Sequence, residues 1–357
     1  MITVGRLVLR QYQRNINSLL SAMMYMANHF GIRLFLFSGN DINFKSKTID
    51  ALFIEYGISM RNTTLFPHLL DNSQAIGRES TREAFTKAGT ILVQPFVKPS
   101  KMQTFQLLLE NKRFNELLIP HFLLDGPELL EKYLREFNRQ IVMKPEKGSG
   151  GIGVMKISKK NNKYHIISEN ELTVLSKNEW IACSNALFQK KRYIVQPYIQ
   201  SRTKSGAPFD IRIHARRGKG GNFIVDYAPR IGNPAGIVSN MHSGGYTLPI
   251  DIFLKLEWGE TAKEIQAGLS EIGDTFPEYY QSFFDQTTSF VGLDIGIERI
   301  AKNGFRFRLF EVNAYPAFCP GIIIKDAVTQ FEYYRYLYEK YYPNDQVRQR
   351  DVLKPAQ

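Results

Sequence analysis

A chain of 357 residues, 43% hydrophobic and 13% aromatic, can bury two or three compact cores, which excludes a disordered or low-complexity protein. The net charge of +12 raises nucleic acid as a partner, but the basic residues fall in short groups (Lys159-Lys160, Lys190-Lys191-Arg192, Arg216-Arg217) rather than in a stripe interleaved with aromatics, which fits a general pull on small anions better. No apolar run is long enough to span a membrane, no signal-peptide core follows Arg6 and Arg10, and Cys183 and Cys319 are too few for a disulfide framework, so a cytoplasmic chain with free thiols is expected.

In chain order, residues 2–9 read as a strand, and residues 17–30 as a helix whose Leu20, Met23, Met24 and Ala27 recur at three- and four-residue steps. Strands are expected at 32–37, 51–56 and 57–63, completing a small α/β unit. A helix follows at 101–111, and residues 118–120 form an extended link into a middle lobe. Asp125 as N-cap, Pro127 in the first turn and Glu128 at the third position start a helix that runs to about Asn138. After strands around a glycine loop come a polar turn at 160–163, a helix at 178–188 and a strand at 193–199. Residues 201–208 are a polar link. The third lobe holds antiparallel strands, helices at 261–276 and 278–284, a hairpin at 290–313 and an aromatic-rich helix at 326–341. The expected division is 1–98, 99–200 and 201–343, with a polar tail at 344–357.

The glycine loop carries the first chemical signal. Gly148, Ser149, Gly150, Gly151, Ile152 and Gly153 match the dinucleotide-binding GxGxxG pattern, but the residues that follow, Val154-Met155-Lys156-Ile157, alternate like a strand, whereas that motif needs a helix. A Walker loop would place Lys and Ser/Thr directly after the last glycine. A protein-kinase flap would place its lysine after the glycines, and no HRD or DFG triplet occurs. Lys144 instead precedes the loop, on the strand face of Val142 and Glu146, where it can reach beneath a flap toward a phosphate. An ordinary glycine-rich hairpin with a surface lysine fits this segment equally well.

A second signal lies at 290–313. Asn303-Gly304 is a two-residue hairpin turn, which would pair Asp294 with Asn313 and Gly296 with Glu311. Asp294, Glu311 and Asn313 then share one face, with Leu293, Ile295, Phe310 and Val312 on the other as core. Two carboxylates and an amide oxygen suit a hard cation such as Mg²⁺, with positions left for phosphate oxygens. A solvated edge hairpin is the alternative. On a third strand, Asp210, Arg212, His214 and Arg216 share one polar face; a solvent-facing strand would explain it as well.

A lysine strand, a glycine flap and a distant Asp, then Glu-x-Asn, hairpin resemble the ATP-grasp superfamily, and within it the YheC/YheD endospore coat-associated group. The resemblance takes in Val4-Gly5, Phe37-Ser38, Asp41-Ile42, Phe66-Pro67, Asp71, Lys101, the flap, Phe209-Asp210-Ile211-Arg212, Ser239-Asn240, Gly244-Gly245 and Phe310-Glu311-Val312-Asn313. It implies an α/β (α+β) ATP-grasp fold, in which a pre-grasp lobe precedes two lobes that clamp ATP. It further implies that Lys101 and Lys144 meet the nucleotide phosphates and that the flap covers them. The base edge would fall at Gln196, Tyr198 and Ile199, where Gln196 replaces a commoner acidic residue and Pro197 removes a backbone donor. Mg²⁺ or Mn²⁺ would sit on Asp294, Glu311 and Asn313, with Arg212 at the transferring phosphoryl group. The implied reaction joins a carboxylate to an amine or thiol through an acyl phosphate, with Arg230, Asn240, Gly244 and Gly245 as candidates to hold the acceptor; a structural turn would explain these residues equally well. A kinase on the same scaffold and a non-catalytic, spore coat-associated binding protein are the alternatives. Spore coat association itself is implied by the resemblance alone.

Overall fold

The computed structural model describes residues 1–9, 18–55, 58–72, 79–95, 97–124, 126, 128–148, 150–189, 191–239, 244–300, 304–314 and 322–343. Their elements form three sheets in chain order. The first comprises β1 (Ile2–Leu7), β2 (Ile32–Phe37), β3 (Ile42–Asn43), β4 (Thr48–Glu55), β5 (Ile58–Leu65), β6 (Leu69–Asp71) and β7 (Ile91–Leu92). Its order is β3-β4-β2-β1-β6-β7, with β5 on β4, and β1 lies parallel to both β2 and β6. The amphipathic helix read at 17–30 is α1 (Ser18–Phe30), which buries Leu19, Met23, Met26 and Ala27. Helix α2 (Glu79–Lys87) was not legible in the pattern.

The second sheet has the order β12-β11-β10-β9-β13-β8. It is preceded by α3 (Lys101–Asn111) and built from β8 (Phe122–Leu124), α4 (Glu128–Glu136), β9 (Gln140–Pro145), β10 (Met155–Lys160), β11 (Lys163–Ser168), β12 (Glu171–Leu175), α5 (Lys177–Phe188) and β13 (Tyr193–Pro197). Capping boxes start two of the helices: Ser100 with Gln103 on α3, and Ser176 with Glu179 on α5. The Asp125 and Pro127 expected to open α4 lie outside the described residues. Strands β9 and β10 pair antiparallel, Met143 opposite Met155 and Ile141 opposite Ile157, so the glycine loop does join two strands.

The third sheet, β15-β14-β16-β17, is antiparallel throughout. It contains β14 (Phe209–Arg217), β15 (Phe223–Ile231), β16 (Phe290–Ile300) and β17 (Gly304–Asn313), with α6 (Ile250–Trp258) and α7 (Ala262–Gln281) on one face. The two helices expected at 261–284 are largely one: α7 runs through Pro277. Its buried stripe Ile265, Leu269, Ile272, Phe276 and Tyr280 packs on Ile211, Ile213 and Ile295, which offsets the hydrogen bond that proline cannot donate. The last helix, α8 (Ile323–Tyr341), packs against α1; Ala327, Phe331, Tyr334 and Leu337 share a core with Val4, Met23 and Leu69.

Candidate active site

The register of the β16–β17 hairpin differs from the expected one. Gly304 itself pairs with Ile300, so the turn is not the two-residue Asn303-Gly304 turn, and Asn303 lies outside the described residues. Pairing continues to Ile295 opposite Leu309, then shifts, with Asp294 opposite Glu311 and Gly292 opposite Asn313. Phe310 is the extra residue of a β-bulge. The bulge places Leu309, not Phe310, in the core and turns Phe310 and Glu311 together toward the cleft. Asp294 and Asn313 still meet, with Asn313 Nδ2 donating to Asp294 Oδ2 at 3.3 Å. The Phe310 ring lies on Gly296, where a Cβ would come within 2.3 Å of it. Gly296→Ala is therefore expected to force this ring or the strand to move and to lower stability by about 1–3 kcal/mol, measured as a shift in the urea midpoint.

Strand β14 is buried along its whole length, which excludes the solvent-facing alternative. Its polar face divides in two. Toward the cleft, Arg212 grips Asp294 through both Nε and Nη2, the latter at 3.0 Å. Arg230, on β15, donates to Asp210 Oδ1 at 2.6 Å and lies 3.0 Å from Asp294 Oδ2, while Ser239 Oγ donates to Asp210 at 2.7 Å. The result is a buried ladder of two acids and two arginines. Burial pushes the Asp294 carboxyl up, but Arg212 and Arg230 override it and hold the group at about 2. At the other end, His214 lies 3.8 Å from Asp326 of α8; burial, reinforced by Arg212, drives its pKa well below the usual histidine value.

Three lysines face the ladder from the other side. Lys144, on β9, is buried and donates to the Phe310 carbonyl at 3.2 Å. Burial lowers it from the ordinary lysine value to about 8, against the pull of Glu311. Lys101, in the first turn of α3, lies 3.8 Å from Glu311 Oε1. Lys98, which the sequence did not single out, lies 3.2 Å from Asn313 Oδ1 and 3.5 Å from Glu311 Oε1. Its place is set by Gln94, fully buried, which donates to the Ala314 carbonyl and accepts from the Ser289 N–H and hydroxyl, tying this segment to the end of β17. The only available signal was its spacing from Lys101 across a Pro-Ser helix start, which puts it on extended backbone just outside the helix.

The cleft between the second and third sheets is lined by Lys101, Lys144, Gln196, Arg230, Asp294 and Glu311, and roofed by Gly148, Gly151 and Ile152. Gly148, Gly150, Gly151 and Gly153 all have positive φ, which lets the loop turn back over Pro145. Tyr198 and Ile199 line the same cleft, and Lys156 sits 3.5 Å over the Tyr198 ring. Gln196 is buried, and its Oε1 has no partner there, an acceptor offered to the cleft. Ser149 and Asn240 lie outside the described residues; Gly244 and Gly245 are not among the described residues that line the cleft. Among the described residues no group of three His, Cys, Asp or Glu side chains is placed to hold a metal. The oxygens on β17 nevertheless converge on one cation, the Lys98 ammonium. A cation drawing its remaining ligands from a phosphate chain fits that donor set.

A three-lobed chain whose glycine-looped hairpin faces a hairpin of acids across a cleft defines an ATP-grasp fold. A family model described as YheC/D like ATP-grasp matches residues 91–340, and the chain belongs to that family. The endospore coat-associated protein YheC of Bacillus subtilis (strain 168) is 25% identical over 342 residues, spanning 88% of this chain and 89% of that protein. Solved structures that match, of which two follow, are similar in fold alone. A RimK domain protein ATP-grasp from Sphaerobacter thermophilus DSM 20745 has a TM-score of 0.51 at 8% identity, over 94% of this chain and 98% of its own. N5-carboxyaminoimidazole synthetase from Staphylococcus aureus has a TM-score of 0.55 at 10% identity, over 93% and 77%. No helix among the described residues is long and apolar enough to cross a membrane.

Proposed function

We propose that this protein is an ATP-dependent ligase that joins a carboxylate to an amine or thiol through an acyl phosphate. The observation that carries this reading is the gathering of three lysines at the end of β17: Lys98 and Lys101 on the oxygens of Glu311 and Asn313, and Lys144 on the adjoining Phe310 carbonyl. So many ammonium groups at one place suit a polyphosphate, and two carboxylates with one amide suit the metal that accompanies it. The open volume of the cleft is about 150 Å³, less than the roughly 300 Å³ at which ligand pockets begin. Nucleotide entry therefore requires the glycine loop to lift, and its closure would keep an acyl phosphate from water.

In this mechanism Lys101 and Lys144 hold the phosphates and Gln196 Oε1 accepts from the exocyclic amine of the base. A Mg²⁺ or Mn²⁺ ion on Asp294, Glu311 and Asn313, when bound, would neutralise phosphate charge. The acceptor carboxylate oxygen attacks the γ-phosphorus as the bond to the β-phosphate oxygen breaks and ADP leaves. Arg212, and Arg230 beside it, offset the charge on the transferring group. The amine or thiol then attacks the acyl carbon, expelling phosphate and losing its proton. Positioning and charge do this work, so no protein nucleophile is required. Endospore coat association, the property for which YheC is named, belongs to the same proposal for this chain.

The test is a screen of amino acids, short peptides and cell-wall precursors with ATP and Mg²⁺ for ADP release, followed by mass measurement of the product. A condensed product with free phosphate is expected. A phosphorylated acceptor that goes no further would make the protein a kinase. Absence of Mg²⁺-dependent ATP binding would leave only a structural role.

A further inference from the structure

Lys98 stands apart from the other two lysines. Lys144 is buried and engaged with the Phe310 carbonyl, and Lys101 is fixed in the first turn of α3 and approaches Glu311 alone. Lys98 lies outside that helix and contacts the oxygens of both Glu311 and Asn313. Its side chain is 24% exposed, so it has room to swing away. Mg²⁺ binds oxygen ligands at about 2.0–2.1 Å. An ion held by those two oxygens would fall within contact of the ammonium now 3.2 and 3.5 Å from them, so the two cations exclude each other.

We propose that Lys98 is a placeholder for the divalent metal: it holds Glu311 and Asn313 while nucleotide is absent and must leave before the metal enters. The metal then loads together with the polyphosphate, which takes up the displaced ammonium. This inference rests on the ligase reading of the site. It gives the protein a means of refusing free metal and of keeping its β17 oxygens in place between turnovers.

The experiment titrates nucleotide-free protein with Mn²⁺ and follows the free ion by electron paramagnetic resonance, then repeats the titration with the non-hydrolysable analogue AMP-PNP. Lys98→Met is expected to tighten nucleotide-free Mn²⁺ binding by about tenfold, equivalent to about 1.4 kcal/mol. Lys98→Arg, which keeps the charge, should remain near wild type, and AMP-PNP should nearly abolish the difference between wild type and Lys98→Met. Lys101→Met reports what the loss of one nearby charge does by itself and should gain much less. An equal gain in Lys101→Met, or none in Lys98→Met, would overturn the placeholder role. Glu311→Gln separates the two levels. If it removes Mn²⁺–AMP-PNP binding while Lys98→Met shows no gain, only the role of Lys98 falls; if it leaves that binding intact, the metal reading of the site falls as well.

Discussion

Replacing Asp294 by asparagine is expected to lower stability by about 3–5 kcal/mol, the cost of leaving buried charges without their counter-ion. Asp294 is the carboxylate shared by Arg212 and Arg230, and all three side chains are buried. Asparagine keeps the shape and can still accept a hydrogen bond, but it cannot balance two guanidinium groups in a low-dielectric setting. Glu311→Gln is the matched control. Glu311 is 25% exposed and faces Lys98 and Lys101 at the edge of the cleft, so its urea midpoint should move far less even as nucleotide turnover is lost. Equal destabilisation by the two substitutions, followed by urea denaturation, would show that Asp294 is not the centre of the buried ladder.

The second large effect is expected from Lys144→Met, which preserves most of the buried stem and removes the ammonium. A hydrogen bond to a charged group is worth about 1.5–3 kcal/mol, so ATP affinity should fall by roughly tenfold to a hundredfold. Adenosine, which has no phosphate, should bind as before. The same residue gives the wild-type protein a pH signature. Burial holds free Lys144 at about 8, and a phosphate favours the protonated form. Nucleotide binding near pH 8 should therefore take up a proton, and affinity should fall as pH rises through that value. Calorimetry in buffers of different ionisation enthalpy measures the uptake directly. Persistence of the uptake in Lys144→Met would assign the proton to another group.

Much of this was legible in the chain. Helix α3 was read with both of its ends; at its start Ser100 and Gln103 form a local cap that needs nothing from elsewhere. The strand character on both sides of the glycine loop was equally local, a matter of alternation. The hairpin register was not: Gly304 already pairs with Ile300, so the Asn303-Gly304 turn signal misplaced the strands from the turn onward, and the extra residue Phe310, its ring seated on Gly296 of the neighbouring strand, shifts the pairs beyond it by one residue. The Arg212–Asp294 contact joins residues far apart in sequence on paired strands, and the approach of Lys98 to Asn313 depends on the Gln94 hydrogen bonds, so neither leaves a periodic trace. The fused helix α7 misled for the opposite reason: Pro277 is a strong local signal that a buried apolar face overrode.

The seating of α8 also bears on the order in which the molecule can assemble. Asp71, buried at the end of β6, pairs with Arg6 but also accepts from Gln330 Nε2 at 3.0 Å and Tyr334 Oη at 2.7 Å, both on the last helix. The apolar side of the same core likewise lacks Ala327, Phe331 and Leu337 until α8 arrives. On the ribosome the first sheet therefore emerges first but is completed last: its charges and its open core wait for residues synthesised some 260 positions later. Such distant closure makes for slow final folding. A chain cut short before α8 would expose a half-built amino-terminal core to chaperones and proteases even with its cleft residues all present.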